Sequence, residues 1–254
     1  MKDFNICFDY GKSKKIDWIP NDTKEQFEVH LKRHPNSKLN YYETNPIEYK
    51  LNYYGFRTDD DFFDGDEGTV YLGCSHTFGI GHHLENVWSY KLHKKVGEGK
   101  FFNLSCGGTG LTSHYHYLKY FSTKLKIKKV YHFYPPEVHY RYGFMNQDSK
   151  LDIIGHFFDE TKNENEKYLW EKYLMHESHN KFHQMVYKDA ISNVCKEIGC
   201  EYLRNETSMI VWRGNNGFND PYHKTLTPAR DLLHYYVEKH DDIVANFVEK
   251  NKLL

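Results

Sequence analysis

The hydrophobic pattern separates an irregular first quarter of the chain from a regular remainder. Residues 1–67 show no sustained period, are interrupted by Pro20, Pro35 and Pro46, and end in an acidic run over 59–67. Proline breaks helices and central strands, so this stretch reads as an irregular extension packed on a main domain of residues 68–254. From residue 68 the pattern tightens. Residues 68–74 (Gly68-Thr69-Val70-Tyr71-Leu72-Gly73-Cys74) form a short apolar run of the kind that makes a buried strand. Leu84, Trp88 and Leu92 then recur at helical spacing, with Gly97 as the stop. A second strand is predicted over 101–104, a helix over 109–123, and a third strand over 130–134, closed by Pro135 and Pro136.

A helical insertion is expected at about 137–180. Beyond it Phe182, Val186, Ala190, Val194 and Ile198 recur every four residues, the apolar stripe of one long helix ended by Gly199. Strands over 201–203 and 209–212 and an amphipathic helix over 235–250 complete the pattern. Strands alternating with helices predict βαβ units and a parallel sheet, hence a three-layer α/β/α sandwich. Ligands of such sheets bind beyond the carboxyl ends of the strands. The loops after the first two strands, and a late loop returning to the same edge, are therefore the places to look for chemistry.

Composition narrows the choices. The 254 residues carry 34 Lys+Arg against 35 Asp+Glu, a net charge of −1. That balance gives no electrostatic case for nucleic acid or an anionic membrane as partner. Mean hydropathy is only −0.81, but 22 Tyr, 17 Phe and 4 Trp supply enough large side chains for a core. No run approaches the ~18 apolar residues of a membrane span, and the first residues lack the apolar centre of a secretory signal. The five cysteines form no Cys-x-x-Cys pair, so a disulfide framework or structural zinc site is not expected. A cytoplasmic, reducing setting fits. The acidic run lacks the glycine-centred spacing of a calcium loop and reads as a solvated loop. The 17 histidines include His82-His83, His114-x-His116 and His176-x-x-His179, but no thiolate or carboxylate partners stand at ligand spacing. No metal or cofactor is expected.

The first loop reads Gly73-Cys74-Ser75-His76-Thr77-Phe78-Gly79, a serine at a strand end heading a helix. The second reads Asn103-Leu104-Ser105-Cys106-Gly107-Gly108-Thr109-Gly110, whose glycines let backbone approach a ligand. Neither is a phosphate-binding fingerprint. A serine nucleophile needs a base, and the base an orienting acid. Asp-x-x-His supplies both, and two such pairs occur, Asp220/His223 and Asp231/His234. Spacing alone does not choose between them.

These motifs resemble the SGNH (GDSL-type) hydrolases. Residues 73–79 are similar to the family's first block, commonly Gly-Asp-Ser-x-Thr-x-Gly, and Leu84-Glu85-Asn86-Val87-Trp88 to the stretch that follows it. Residues 103–110 resemble the second block, which makes Gly108 the oxyanion-hole glycine. Ala229-Arg230-Asp231-Leu232-Leu233-His234, leading to His240, resembles the last block and favours Asp231/His234. Asn52-Tyr53-Tyr54-Gly55-Phe56-Arg57 resembles a lead-in before the first block. The likeness covers roughly residues 50–136 and 225–250.

Two positions depart from the pattern. Cys74 stands where the family usually has Asp. The third block's Gly-x-Asn-Asp is replaced by Phe133-Tyr134-Pro135-Pro136-Glu137, which lacks the Asn that donates to the oxyanion; Asn215 and Asn216 are available elsewhere. The resemblance implies a flavodoxin-like SGNH fold and acyl transfer with Ser75 as nucleophile, His234 as base and Asp231 as its orienter. The amides of Ser75 and Gly108 would form the oxyanion hole. It implies a small-molecule or carbohydrate ester as substrate, an O-acetyl group for example. An acetyltransferase with the same triad, or a non-catalytic carbohydrate- or protein-binding module, are the alternatives. The oligomeric state is not specified by the sequence.

Overall fold

The computed structural model describes residues 11–35, 37–135, 140–145, 151–155, 164–205, 227, 229–232, 234 and 237–253. In chain order its elements are β1 (Lys14–Ile16), α1 (Lys24–Arg33), α2 (Tyr41–Thr44), β2 (Tyr49–Leu51), β3 (Glu67–Gly73), α3 (Ser75–Phe78) and α4 (Trp88–Val96). Then come β4 (Lys100–Ser105), α5 (Leu111–Phe121), β5 (Lys126–Phe133), β6 (Arg141–Met145), β7 (Leu151–Gly155), α6 (Glu164–Leu169), α7 (Glu177–Ile198), β8 (Glu201–Asn205) and α8 (Val237–Asn251).

Four parallel strands form the central sheet in the order β4-β3-β5-β8. The chain leaves β3 on one side for β4 and returns on the other for β5, so the winding reverses at β3. Side-chain alternation explains why both faces must be covered. On β3, Val70 and Leu72 join one core with Phe102, Leu104 and Val130, closed by Leu118 of α5 and Ile191 and Val194 of α7. Tyr71, with Phe101, Tyr131 and Phe133, joins the other, closed by Trp88 and Leu92 of α4 and Ile243 and Phe247 of α8. Trp88 and Phe247 stack at 5.1 Å between ring centroids. The result is an α/β architecture with helices on both faces of a parallel sheet. Among the described residues, no helix is long and apolar enough to cross a membrane.

The structure departs from the sequence reading in identifiable places. The third strand starts at Lys126 rather than 130 because its first residues alternate exposed Lys126 and Lys128 with buried Ile127, a half-solvated strand start with no apolar run. The long helix is present from Glu177 to Ile198, and Gly199 ends it at φ 69°. Its stripe is buried only toward the C-terminus: Phe182 and Val186 are exposed, at 60% and 41%. A helix of 22 residues spans about 33 Å at 1.5 Å per residue, longer than the strands it covers. Its first half meets β6 instead, with the His183 and Tyr142 rings 4.6 Å apart. The segment expected as a helical insertion begins with an antiparallel hairpin, β6–β7. Buried Tyr142 anchors it to Trp170 and Leu174, and its hydroxyl donates to Leu174 O at 2.8 Å. The strand predicted over 209–212 lies outside the described residues.

The extension before residue 68 has regular elements of its own. Thr23 and Gln26 form a reciprocal capping box on α1, and β1 pairs with β2. Ile19, Phe27, Leu39, Tyr42, Ile47, Tyr49 and Leu51 form a small core that includes Phe78, Ile80 and Leu232 of the main domain. The acidic run is tied down by lysines: Asp66 to Lys100 at 2.8 Å and Asp64 to Lys124 at 3.1 Å.

Among the described residues, the most buried ion pair joins the segment before β3 to the segment before α8. Asp22 and Arg230 are each 1% exposed and meet at 2.5 Å. Arg230 also donates to Asp17 O at 2.7 Å and lies 3.8 Å above the Trp18 ring. Burial pushes the Asp22 carboxyl above its usual range, and Arg230 opposes the shift. Removing one partner strands the other charge, at a cost of ~3–5 kcal/mol, whereas replacing both by apolar residues is far milder. Arg230→Met should therefore lower urea-unfolding stability by about that amount, and Asp22→Leu/Arg230→Met should recover most of it. A single variant as stable as the parent would refute the pairing.

Candidate active site

β3 delivers its last residues into a turn that only glycine permits. A Cβ on Gly73 would lie 1.9 Å from Thr77 Oγ1. The chain then closes the single turn of α3, with Thr77 N and Phe78 N donating to Cys74 O at 2.9 and 3.0 Å, and Gly79 leaves it at φ 83°. Ser75 is the first residue of α3 and 7% exposed. At that position its N–H has no intrahelical carbonyl partner. Its hydroxyl lies 3.9 Å from Cys74 Sγ.

The loop after β4 is bound to this turn. Asn103 Nδ2 donates to Thr77 O at 3.2 Å, and Asn103 Oδ1 accepts from the Ser105 hydroxyl. Thr109 Oγ1 stands 2.8 Å from Cys106 O and 3.3 Å from Gly73 O. Gly108, at φ 74°, carries the left-handed bend between them. Ser75 and Gly108 thus come from adjacent, hydrogen-bonded strand ends.

The late loop arrives at the same edge. Arg230 N donates to Gly81 O at 2.9 Å, and Gly81 N donates to the Tyr49 hydroxyl at 2.9 Å. A Cβ on Gly81 would press Asp231 Oδ1 at 2.8 Å, so the two loops touch backbone to side chain. Leu232 adopts φ 57°, a left-handed conformation uncommon outside glycine. Within this turn His234 Nδ1 is in hydrogen-bond contact with Asp231 Oδ2. Both side chains are buried, His234 at 8% exposure. The His234 ring lies edge-on to that of His76, centroids 4.9 Å apart.

The His234 ring therefore meets His76, the residue that follows Ser75 in the chain, and Asp231 meets Gly81. Among the described residues, no hydrogen bond joins Ser75 Oγ to the His234 ring; the hydroxyl is turned to Cys74. Asp220, His223, Asn215 and Asn216 lie outside the described residues, as do Pro136 and Glu137. The described histidines, cysteines and acids contain no group of three able to hold a metal. Cys74, Cys106, Cys195 and Cys200 are not joined in disulfides.

Two arginines at the site escaped sequence reading as functional groups. Arg57, 1% exposed, donates from Nη1 to Gly79 O at 2.5 Å and from Nη2 to His82 O at 2.7 Å. It anchors the exit of the Ser75 turn through backbone carbonyls. Its signals were a place in the lead-in that resembles the family's and a lone cation in an aromatic stretch. Arg141, first residue of β6, donates from Nη1 to Thr109 O at 3.3 Å and interacts with the Cys74 sulfur. Flanked by Tyr140 and Tyr142, it reads in sequence as an ordinary surface residue.

Behind the second loop runs a buried polar chain. Thr109 Oγ1, His114 Nε2 and Nδ1, His132 Nε2 and Nδ1, and the Tyr202 and Tyr134 hydroxyls follow one another at 3.3, 3.0, 3.0 and 3.0 Å. With both imidazoles neutral and the Thr109 hydroxyl donating to Cys106 O at 2.8 Å, one proton arrangement satisfies every link: Tyr134 donates to Tyr202, Tyr202 to His132, His132 to His114, and His114 to Thr109. Each imidazole then carries its proton on Nε2. Burial drives both pKa values down, His114 to about 3.

A scan of the chain against protein-family models finds no match, and a comparison with curated proteins finds none. Function must therefore be argued from these residues and their arrangement.

The neutral histidine pair has a signed consequence for stability. A histidine locked neutral in the fold has a folded pKa below its unfolded value of ~6.5. The unfolded chain then takes up protons that the fold refuses, so stability is full above ~6.5 and is lost as pH falls. About 2 kcal/mol per histidine should be gone at pH 5. Urea unfolding at pH 7 and pH 5 should show this loss, with a shallower dependence in His114→Gln/His132→Gln. An unchanged slope in that variant would refute the neutral chain.

Proposed function

We propose that this protein is a serine esterase of SGNH type that cleaves a small ester through an acyl-serine intermediate. The observation that carries the reading is the buried Asp231/His234 pair held against the Ser75 turn. The strand order β4-β3-β5-β8, counted from β3 as the first parallel strand, runs 2-1-3-4. This agrees with the flavodoxin-like winding of a doubly wound sheet, whose ligands sit where the order reverses. Ser75 stands at the carboxyl end of the strand where it does.

In this mechanism Asp231 accepts from Nδ1–H of His234 and leaves Nε2 as the base. For attack, Ser75 Oγ leaves Cys74 and turns toward that nitrogen. Catalytic hydrogen bonds of unliganded sites often form only with substrate bound. Oγ attacks the carbonyl carbon as its proton passes to His234, and the oxyanion is met by the N–H groups of Ser75 and Gly108. Collapse expels the alcohol, which takes the proton from His234. Water, deprotonated by the same imidazole, then releases the acyl group. Ser75 and His234 are less than a tenth exposed, which favours a small acyl group, an O-acetyl ester on a carbohydrate being the preferred substrate. Transfer to a sugar hydroxyl in place of water uses the same groups. A non-catalytic binding module is favoured by one observation, the Ser75 hydroxyl facing Cys74 instead of the imidazole.

Turnover of p-nitrophenyl acetate and labelling by a serine-directed phosphonate decide between these readings. Ser75→Ala and His234→Ala should each abolish most turnover, and the double variant should be no worse, because attack and proton transfer are one step. Asp231→Ala should be ~10²-fold milder. Folded Ser75→Ala protein that hydrolyses at the parent rate would end the serine mechanism.

A further inference from the structure

We propose that Arg141 is a catalytic residue of this site, a cationic donor to the oxyanion formed when Ser75 attacks an ester. The inference rests on the esterase reading and adds a third, charged donor to two backbone amides.

Placement carries the argument. The guanidinium reaches Thr109 O, one residue beyond Gly108, and the sulfur of Cys74, one residue before Ser75. It therefore bridges the two loops whose amides would bind the oxyanion. Its backbone is fixed there as well: a Cβ on Gly110 would lie 2.5 Å from Arg141 O, so β6 and the start of α5 meet with no side chain between them. The competing amide is committed elsewhere, since Asn103 donates to Thr77 O and accepts from Ser105.

Energetics point the same way. Burial of the guanidinium disfavours its charged form and draws its pKa down, so the ground state carries a desolvation cost. The contact at Cys74 is a thiol, a weak acceptor. Negative charge appearing on a carbonyl oxygen at Ser75 would be stabilised by a fixed cation in a water-poor site, and the ground-state ester would gain much less. Arg141 keeps all its protons throughout; the charge it faces forms on attack and vanishes when the alcohol leaves.

The test uses the full chain and a neutral ester, p-nitrophenyl acetate, so that charge recognition of the substrate does not enter. Arg141→Met should lower kcat ~10²–10³-fold, the usual effect of losing one oxyanion donor, with KM within about twofold. Arg141→Lys should fall between. Arg141→Gln keeps a donor for Thr109 O without the charge; it should lose kcat like Met and carries the test if Met does not fold. Millimolar guanidinium should restore part of the Met or Gln activity, a response that a merely structural role would not give. Unchanged kcat in folded Gln and Met variants, with turnover still abolished by Ser75→Ala, overturns the role of Arg141 and leaves the esterase. A rise in KM alone overturns it too, by assigning Arg141 to substrate binding. A parent that neither turns over ester nor reacts with the phosphonate overturns the esterase reading, and the role of Arg141 with it.

Discussion

The carboxylate of Asp22 meets the guanidinium of Arg230 with almost no water near either, and the candidate site is organised around that contact. Arg230 directly precedes Asp231, and its own N–H is bonded to Gly81 two residues beyond the Ser75 turn. Asp22 in turn accepts from the Tyr49 hydroxyl at 2.5 Å, the same hydroxyl that receives Gly81 N–H. One ion pair thus fixes the late loop, the exit of the turn and β2 in a single register. A buried pair of this kind adds little net stability relative to a well-packed apolar alternative. Its value here is geometric, since a shift in register would carry Asp231 away from Gly81 and His234 away from His76.

The extension before β3 supplies most of the clamp. Arg57 holds the carbonyls of Gly79 and His82, and Tyr49 lies 4.5 Å from its guanidinium. On the other side the chain from Tyr134 to Thr109 steadies the loop of Gly108 through a run of hydrogen bonds. The Ser75 hydroxyl, with a weak sulfur contact at 3.9 Å, is the loosely held member of an otherwise rigid set. That division suits the proposed role of Ser75, which would turn toward its base while donors and acceptors stay in place.

Much of this was legible from the residues, and the failures share a cause. Val70-Tyr71-Leu72 and Phe101-Phe102 announce strands buried on both faces, because a central parallel strand needs apolar residues on each. Gly73, Gly108 and Gly199 mark turns through backbone freedom, a local property. Ser75 and the two Asp-x-x-His pairs stood out because their spacing is local too, and the preference for Asp231/His234 came from the family resemblance. Arg141, Arg57 and the Asp22–Arg230 pair did not stand out, since their roles depend on partners across the fold. Arg141 reads as solvated until Thr109 is placed beside it. Phe182 and Val186 misled in the opposite sense: a four-residue period says which way a helix would face and not whether anything lies opposite. The start of β5 was hidden by lysines whose alternation matters only once Ile127 has a core to enter.

The distance along the chain between Asp22 and Arg230 bears on how the protein is born. They are 208 positions apart, which at ~5–20 residues per second on the ribosome separates their synthesis by roughly 10–40 s. Through that interval α1, β2 and the Ser75 turn can take shape, but the Asp22 carboxylate has no guanidinium to enter the interior with and stays hydrated. Asp231 and His234 emerge in the same late loop as the missing partner. Closure of the clamp and, under the proposed mechanism, assembly of the triad therefore coincide, so until that loop is made the chain would hold Ser75 without the means to activate it.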